Sequence, residues 1–184
     1  MKKRIINIKN IKWVLLLVIA ITFIFQSQFY RLKMKSNIKE SYKTELSLLG
    51  QSALITNDVP VASLLVYKDS IIGMGFNTVK RDSNLSGHAE INAMNEAYKA
   101  YGDKFSSLER NDLVLFSTFE PCEMCKGAIL HYNIKQVEFE QNKNTWSQIK
   151  SSVSSFLYHL NTKRFKADSL QEKLFLLHPD YPKK

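Results

Sequence analysis

Glu120-Pro121-Cys122-Glu123-Met124-Cys125-Lys126-Gly127-Ala128-Ile129 is the stretch that decides the fold. Just before it, LVLFST (residues 113–118) is a short apolar run that reads as a strand. Residues 123–132 read as a helix, so both cysteines fall where a strand hands over to a helix start. Gly87-His88-Ala89-Glu90 repeats that setting: a polar loop over 77–87 leads into a helix over 88–101, ended by Gly102. Working outward, 45–55 carries Leu46, Leu49, Ala53 and Leu54 at helical spacing. After a turn at 57–60, strands over 61–67 and 71–76 flank Lys68-Asp69-Ser70 as a hairpin. A strand follows over 136–140, then helices over 146–160 and 169–177, the second stopped by Pro179 and Pro182. The order helix, hairpin, helix, strand, helix, strand specifies an α/β fold: a three-layer α/β/α sandwich with helices covering a central mixed sheet.

Charge divides the chain. The 184 residues carry a formal +9, which naively suggests a nucleic-acid binder. Residues 1–40 hold nine Lys/Arg and one acid, Glu40; residues 41–184 hold 17 basic and 16 acidic side chains. The excess belongs to the N-terminus, and the body, at +1, supports no nucleic-acid argument from charge. Two cysteines exclude a disulfide-rich scaffold.

The N-terminus carries an apolar run over 13–25, interrupted by Thr22 and flanked by Lys2, Lys3, Arg4, Lys9 and Lys12 before it and Arg31, Lys33 and Lys35 after it. Thirteen helical residues reach ~20 Å, short of a ~30 Å hydrocarbon core. Extension to 11–30 adds Lys12, which can snorkel, and a Gln26-Ser27-Gln28 step, with Trp13, Phe29 and Tyr30 suited to the interface. The expectation is an N-terminal hydrophobic helix acting as a single-pass membrane anchor. The side of the membrane is left open, because the charge bias points outside and thiolate chemistry points inside. Domains are expected at 1–40 (basic segment with anchor), 41–140 (catalytic core) and 141–184 (helical extension).

Alone, the CxxC of Cys122 and Cys125 fits a redox dithiol, half a zinc ribbon or an exported disulfide. A ribbon requires a second CxxC, and there is none. With His88 the set becomes one imidazole and two thiolates, three ligands that leave the fourth position of a tetrahedral Zn2+ for water, whose pKa the ion lowers to ~7. Helix N-termini favour the thiolates. Glu90, two residues beyond His88, can reach that water as proton carrier without being a ligand. A structural site would want a fourth protein ligand; His131 is the nearby candidate, and it reads as a packing residue or as a support behind the metal ligands. His159 and His178 read as structural or exposed.

H-x-E…P-C-x-x-C is the signature of zinc deaminases, and residues 41–140 resemble the cytidine/deoxycytidylate deaminase superfamily. The resemblance is closest to the branch of tRNA-specific adenosine deaminases and guanine deaminases. VPVASLLV (59–66), IIGMGFN (71–77), GHAEINAM (87–94) and STFEPCEMCKGAI (117–129) carry it, and EPC-x-MC followed by x-GAI resembles the purine branch. It implies a cytidine deaminase-like fold, His88, Cys122 and Cys125 as zinc ligands, Glu90 as the catalytic proton shuttle and a homodimer. Asn77, eleven residues before His88, falls where that branch places a base-contacting asparagine. Departures include Leu85-Ser86 before the histidine motif, Ala62 where glycine is common, a longer 100–111 segment and an unmatched tail; they bear on the substrate more than on the reaction.

The expected function is hydrolytic deamination of a nucleobase, nucleoside or nucleotide, a purine (guanine or adenosine), with release of ammonia. A small purine is preferred to tRNA, because nucleic-acid affinity needs Lys/Arg contacts that the body does not obviously supply. Lys80, Arg81, Lys126, Lys163, Arg164 and Lys166 could form a local patch or a solvated face. The alternatives are tRNA adenosine-to-inosine deamination, a membrane-tethered zinc module without catalysis, and a thiol redox protein.

Overall fold

The structure, a computed structural model, describes residues 12–22, 38–162 and 170–177. A helix, α1, covers residues 12–22. The body begins with α2 (Glu40–Ile55) and the strands β1 (Ala62–Tyr67) and β2 (Ser70–Phe76). It continues through α3 (Ala89–Tyr101), β3 (Leu113–Phe119), α4 (Glu123–His131) and β4 (Gln136–Gln141). Two helices follow, α5 (Thr145–Asn161) and α6 (Leu170–Leu177).

The four strands form a mixed sheet in the order β2-β1-β3-β4. β1 pairs antiparallel with β2 and β3, and β3 pairs parallel with β4. β1 lies inside the sheet, and its run is buried almost throughout because both faces are covered. Ala62, Leu64 and Val66 pack with Tyr42 and Leu46 of α2. Leu65, on the opposite face, packs with Met94 and Ala97 of α3, Ile129 of α4, and Leu113 and Leu115 of β3.

The hairpin closes with a two-residue turn at Lys68 and Asp69, both at positive φ (47° and 65°), as a type I′ connection requires. A bulge interrupts its register: Leu65 pairs with Gly73 and Val66 with Ile71, leaving Ile72 over. Gly73 and Gly75 give β2 a bare surface on which α3 lies. A Cβ at Gly73 would meet Ala93 O, and one at Gly75 would meet Ala89 O and Ala93 N. Ala89, Ala93 and Ala97, spaced by four along α3, are fully buried on the matching side. This seam of small residues fixes the start of α3, where the histidine motif sits. β2 is an edge strand, and the Glu96 carboxylate on α3 accepts a hydrogen bond from Met74 N–H on it.

The structure departs from sequence expectation at several places. α2 begins at Glu40, earlier than the apolar spacing predicts, because Tyr42 extends the same buried face. Its hydroxyl donates to Asp69 O (2.8 Å) and its ring lies 5.5 Å from that of Phe116. The segment after α3 contains two 3₁₀ turns, Gly102–Ser107 and Arg110–Asp112, the first burying Phe105 in the core.

The membrane anchor is overturned. α1 spans 11 described residues, ~16 Å at 1.5 Å per residue, about half a hydrocarbon core. No helix among the described residues is long and apolar enough to cross a membrane. The apolar side chains of α1 are exposed, but a wider span over 11–30 would need residues 11 and 23–30, which lie outside the described residues. The apolar run is itself too short, and the spanning estimate depended on the polar and basic residues at its ends.

Candidate metal centre

Two helix starts converge to build the site. His88 is the extended residue (φ −78°, ψ 149°) immediately before α3, and its carbonyl accepts from Asn92 N at 2.9 Å. Cys122 holds the same position before α4 (φ −77°, ψ 172°), its Sγ accepting from Cys125 N at 3.5 Å. Such positions put a side chain beside the free N–H groups of a first helical turn, where negative charge is favoured.

The three donors meet. His88 Nδ1 lies 3.5 Å from Cys122 Sγ and 3.5 Å from Cys125 Sγ, and the two sulfurs are 3.5 Å apart. Zinc at ~2.3 Å from sulfur and ~2.0 Å from nitrogen, with tetrahedral angles, separates its donors by ~3.5–3.8 Å. The triangle therefore has the size a metal of this kind needs, with one corner of the tetrahedron open. Among the described residues this is the group of His, Cys, Asp and Glu side chains that could hold an ion. His131 is not in it: it is exposed in the last turn of α4, its ring 6.2 Å from that of Tyr132.

Electrostatics follow from the crowding. Sharing a proton with Cys125 is the main force that lowers the Cys122 thiol to about 5, against the opposing effect of burial; the N–H groups of Cys125 and Met124 and the His88 ring add to it. Cys125 is pushed upward by the same contact, by burial and by Glu90. One thiolate and one thiol are what two touching sulfurs permit without a cation; a bound metal replaces the remaining proton. Glu90, 4% exposed, is near enough to the cysteines and His88 for their charges to act on it, and burial pushes its carboxyl pKa up.

Asn77 follows β2 directly and is buried. Its N–H donates to Val61 O at 3.0 Å, and its Oδ1 accepts from Val79 N at 3.2 Å, an Asx turn that opens the 77–87 loop. Thr78 N–H donates to Gly87 O at 2.8 Å, which closes the loop on the residue before His88.

Residues that the sequence reading does not single out hold this arrangement. Asn92 Nδ2 donates to Phe76 O (2.9 Å) and Thr78 Oγ1 (3.1 Å), pinning the end of β2 to α3. Asp58, 5% exposed, accepts from Lys80 N (2.6 Å), Arg81 N (3.2 Å) and Thr56 Oγ1 (2.7 Å). Burial raises its carboxyl pKa, but those bonds outweigh it and leave the group below the ordinary carboxylate value. Ser63 and Ser117 share a buried hydrogen bond across β1 and β3 (3.0 Å). A polar residue four positions after His88 and an acid beside a turn proline are the local signals; neither names a partner.

Three side chains that could hold a metal at two helix starts, a buried carboxylate nearby and helices on a mixed sheet fit a zinc-type hydrolytic deaminase. Residues 36–141, more than half the chain, match the family profile described as the cytidine and deoxycytidylate deaminase zinc-binding region, and the chain belongs to that family. A tRNA-specific adenosine deaminase of Buchnera aphidicola subsp. Schizaphis graminum is 36% identical over 107 residues, 58% of this chain and 68% of that protein. A tRNA-specific adenosine deaminase of Rickettsia bellii is 31% identical over 109 residues, 58% of this chain and 72% of that one. The solved guanine deaminase of Bacillus subtilis has the same fold, with a TM-score of 0.58 at 20% identity over 79% of this chain and 100% of that one.

Proposed function

We propose that the protein hydrolyses the exocyclic amine of a purine, with zinc held by His88 Nδ1, Cys122 Sγ and Cys125 Sγ. The observation that carries this reading is the donor triangle, 3.5 Å on each edge, with the buried Glu90 two residues from His88. Zinc bound there supplies a Lewis acid that makes water a nucleophile near neutral pH. Glu90 carries the protons. Its carboxylate takes one from the attacking water and delivers it to the ring nitrogen beside the amine-bearing carbon. It then carries the second to the leaving amine. A C–O bond forms, the C–N bond breaks and ammonia leaves. Asn77 contacts the base; because its Oδ1 already accepts from Val79 N, it serves chiefly as a donor through Nδ2.

The substrate we favour is a free purine, nucleoside or nucleotide, which needs only a pocket. Residues 41–184 have almost balanced charge. Among the described cations, Arg81 pairs with Asp82 (2.8 Å), Lys126 with Glu123 (3.0 Å), and Lys143 donates to Pro121 O (3.0 Å). Lys163, Arg164 and Lys166 lie outside the described residues. Adenosine in tRNA is the second reading, favoured by the names of the Buchnera and Rickettsia relatives.

The deciding experiment incubates the zinc-loaded protein with guanine, adenosine, cytidine and a tRNA bearing adenosine 34, read by mass spectrometry. Deamination of a free purine or nucleoside is expected. Inosine formed in tRNA alone would replace the small-purine reading with the second. Turnover of cytidine alone would overturn the purine assignment. Full activity in metal-free protein would sink the zinc reading.

A further inference from the structure

The cysteine half of the site is tied to a part of the chain that the deaminase reading does not use. Glu120 stands two residues before Cys122 and is 3% exposed. Its Oε2 accepts from Lys143 N and from Gln148 Nε2, each at 3.0 Å. Its N–H donates to Gln141 O at 2.8 Å. Lys143 Nζ returns to the same loop and donates to Pro121 O at 3.0 Å. Gln148, in the first turn of α5, also donates to Lys143 O at 3.2 Å, and its N–H to Asn144 O at 3.2 Å.

A buried carboxylate is costly unless its oxygens are hydrogen-bonded, so Glu120 stays where these donors hold it. The single residue between Glu120 and Cys122 is Pro121, whose ring fixes φ and which has no N–H to adjust. A shift at Glu120 therefore passes to Cys122 with little slack, and through Cys122 to the sulfur that completes the donor triangle.

We propose that Glu120 is a positioning residue for the Cys122 ligand, and that the segment from Lys143 to Gln148 holds the metal centre together through it. The proposal rests on the zinc reading above. It gives the segment after β4 a role in keeping the metal, distinct from contact with substrate.

The test measures zinc release from full-length protein into excess chelator, alongside thermal melting of the zinc-free protein. Partners that act behind a metal ligand typically change affinity by about 10- to 100-fold. Glu120→Ala should speed release by about that range, and Gln148→Ala and Lys143→Ala by about threefold to tenfold. The zinc-free melting of the Gln148 and Lys143 variants should not move. Glu120→Gln keeps an acceptor oxygen at the same reach and should restore most of the retention. Unchanged release in Gln148→Ala and Lys143→Ala would overturn the proposal. So would faster release matched by a fall in zinc-free melting, which is what a merely structural role predicts. If Glu120→Ala does not fold, those two variants still decide. A wild-type protein that takes up no zinc overturns the metal reading itself, a result distinct from normal uptake with unmoved variants.

Discussion

The two halves of the metal centre are held in different ways. The His88–Glu90 half is set by packing: Gly73 and Gly75 meet Ala89, Ala93 and Ala97 with no room for a methyl group, and Asn92 bolts the result to β2 and the loop. The Cys122–Cys125 half is set by polar tethers from beyond β4, through Glu120 and Lys143. Close packing resists small displacements steeply, whereas hydrogen bonds to a partly exposed segment yield one at a time. The comparison teaches that damage to the packing behind the first half, or to Glu90, should register as lost stability or lost chemistry, and damage to the tethers behind the second as lost metal.

The largest effect expected on the packed half is chemical. Glu90→Gln should lower kcat by about a hundredfold to ten-thousandfold while zinc content and melting stay at wild-type values. Retained ammonia release would break the assignment of Glu90, and loss of zinc would blur the division between the halves. Gly75→Ala drives a Cβ into the backbone of α3 and should cost about 1–3 kcal/mol in urea unfolding. Zinc release from the protein that remains folded should match wild type; faster release would join the halves into one unit.

Asn77→Ala removes the proposed donor to the base and should lower kcat/KM by about tenfold, with normal zinc content. An unchanged kcat/KM would return Asn77 to the role of a turn residue. The smallest effect is at Asp58. Its folded carboxyl titrates below its unfolded value, so its contribution is complete above about pH 4 and fades as pH falls through the folded pKa. The melting difference between wild type and Asp58→Asn should be greatest near neutral pH and shrink under acid. A constant difference across pH would mean that the hydrogen bonds at Lys80 and Arg81 do not depend on the charge.

Much of this was legible in the residues. β1 announced itself as an unbroken apolar run because both of its faces are covered. Both helix starts were marked by the loop or strand before them, and His88, Cys122 and Cys125, the group that could hold a metal, stand at those marks. The helix after β3 was expected to end at Tyr132 and ends at His131. What the sequence hid was long-range. Asp58 looks like any turn acid until Lys80 and Arg81 arrive 22 and 23 residues later. Glu120 carries no sign of Gln148, 28 residues on. The N-terminal run misled because its 13 residues fall short of a span and the wider 11–30 reading leaned on the polar and basic residues at its ends.

The bond from Met74 N–H to Glu96 has a consequence for how this molecule meets others. An edge strand offers a row of open hydrogen-bonding groups on which a foreign strand can dock. Here one rung of that ladder is already occupied by a carboxylate from the helix above. β4, the opposite margin of the described sheet, carries the acidic residues Glu138 and Glu140, and charged side chains on an edge strand disfavour pairing with another chain. Each occupied rung and each edge charge makes growth by sheet extension, the route to domain-swapped chains and fibrils, less favourable.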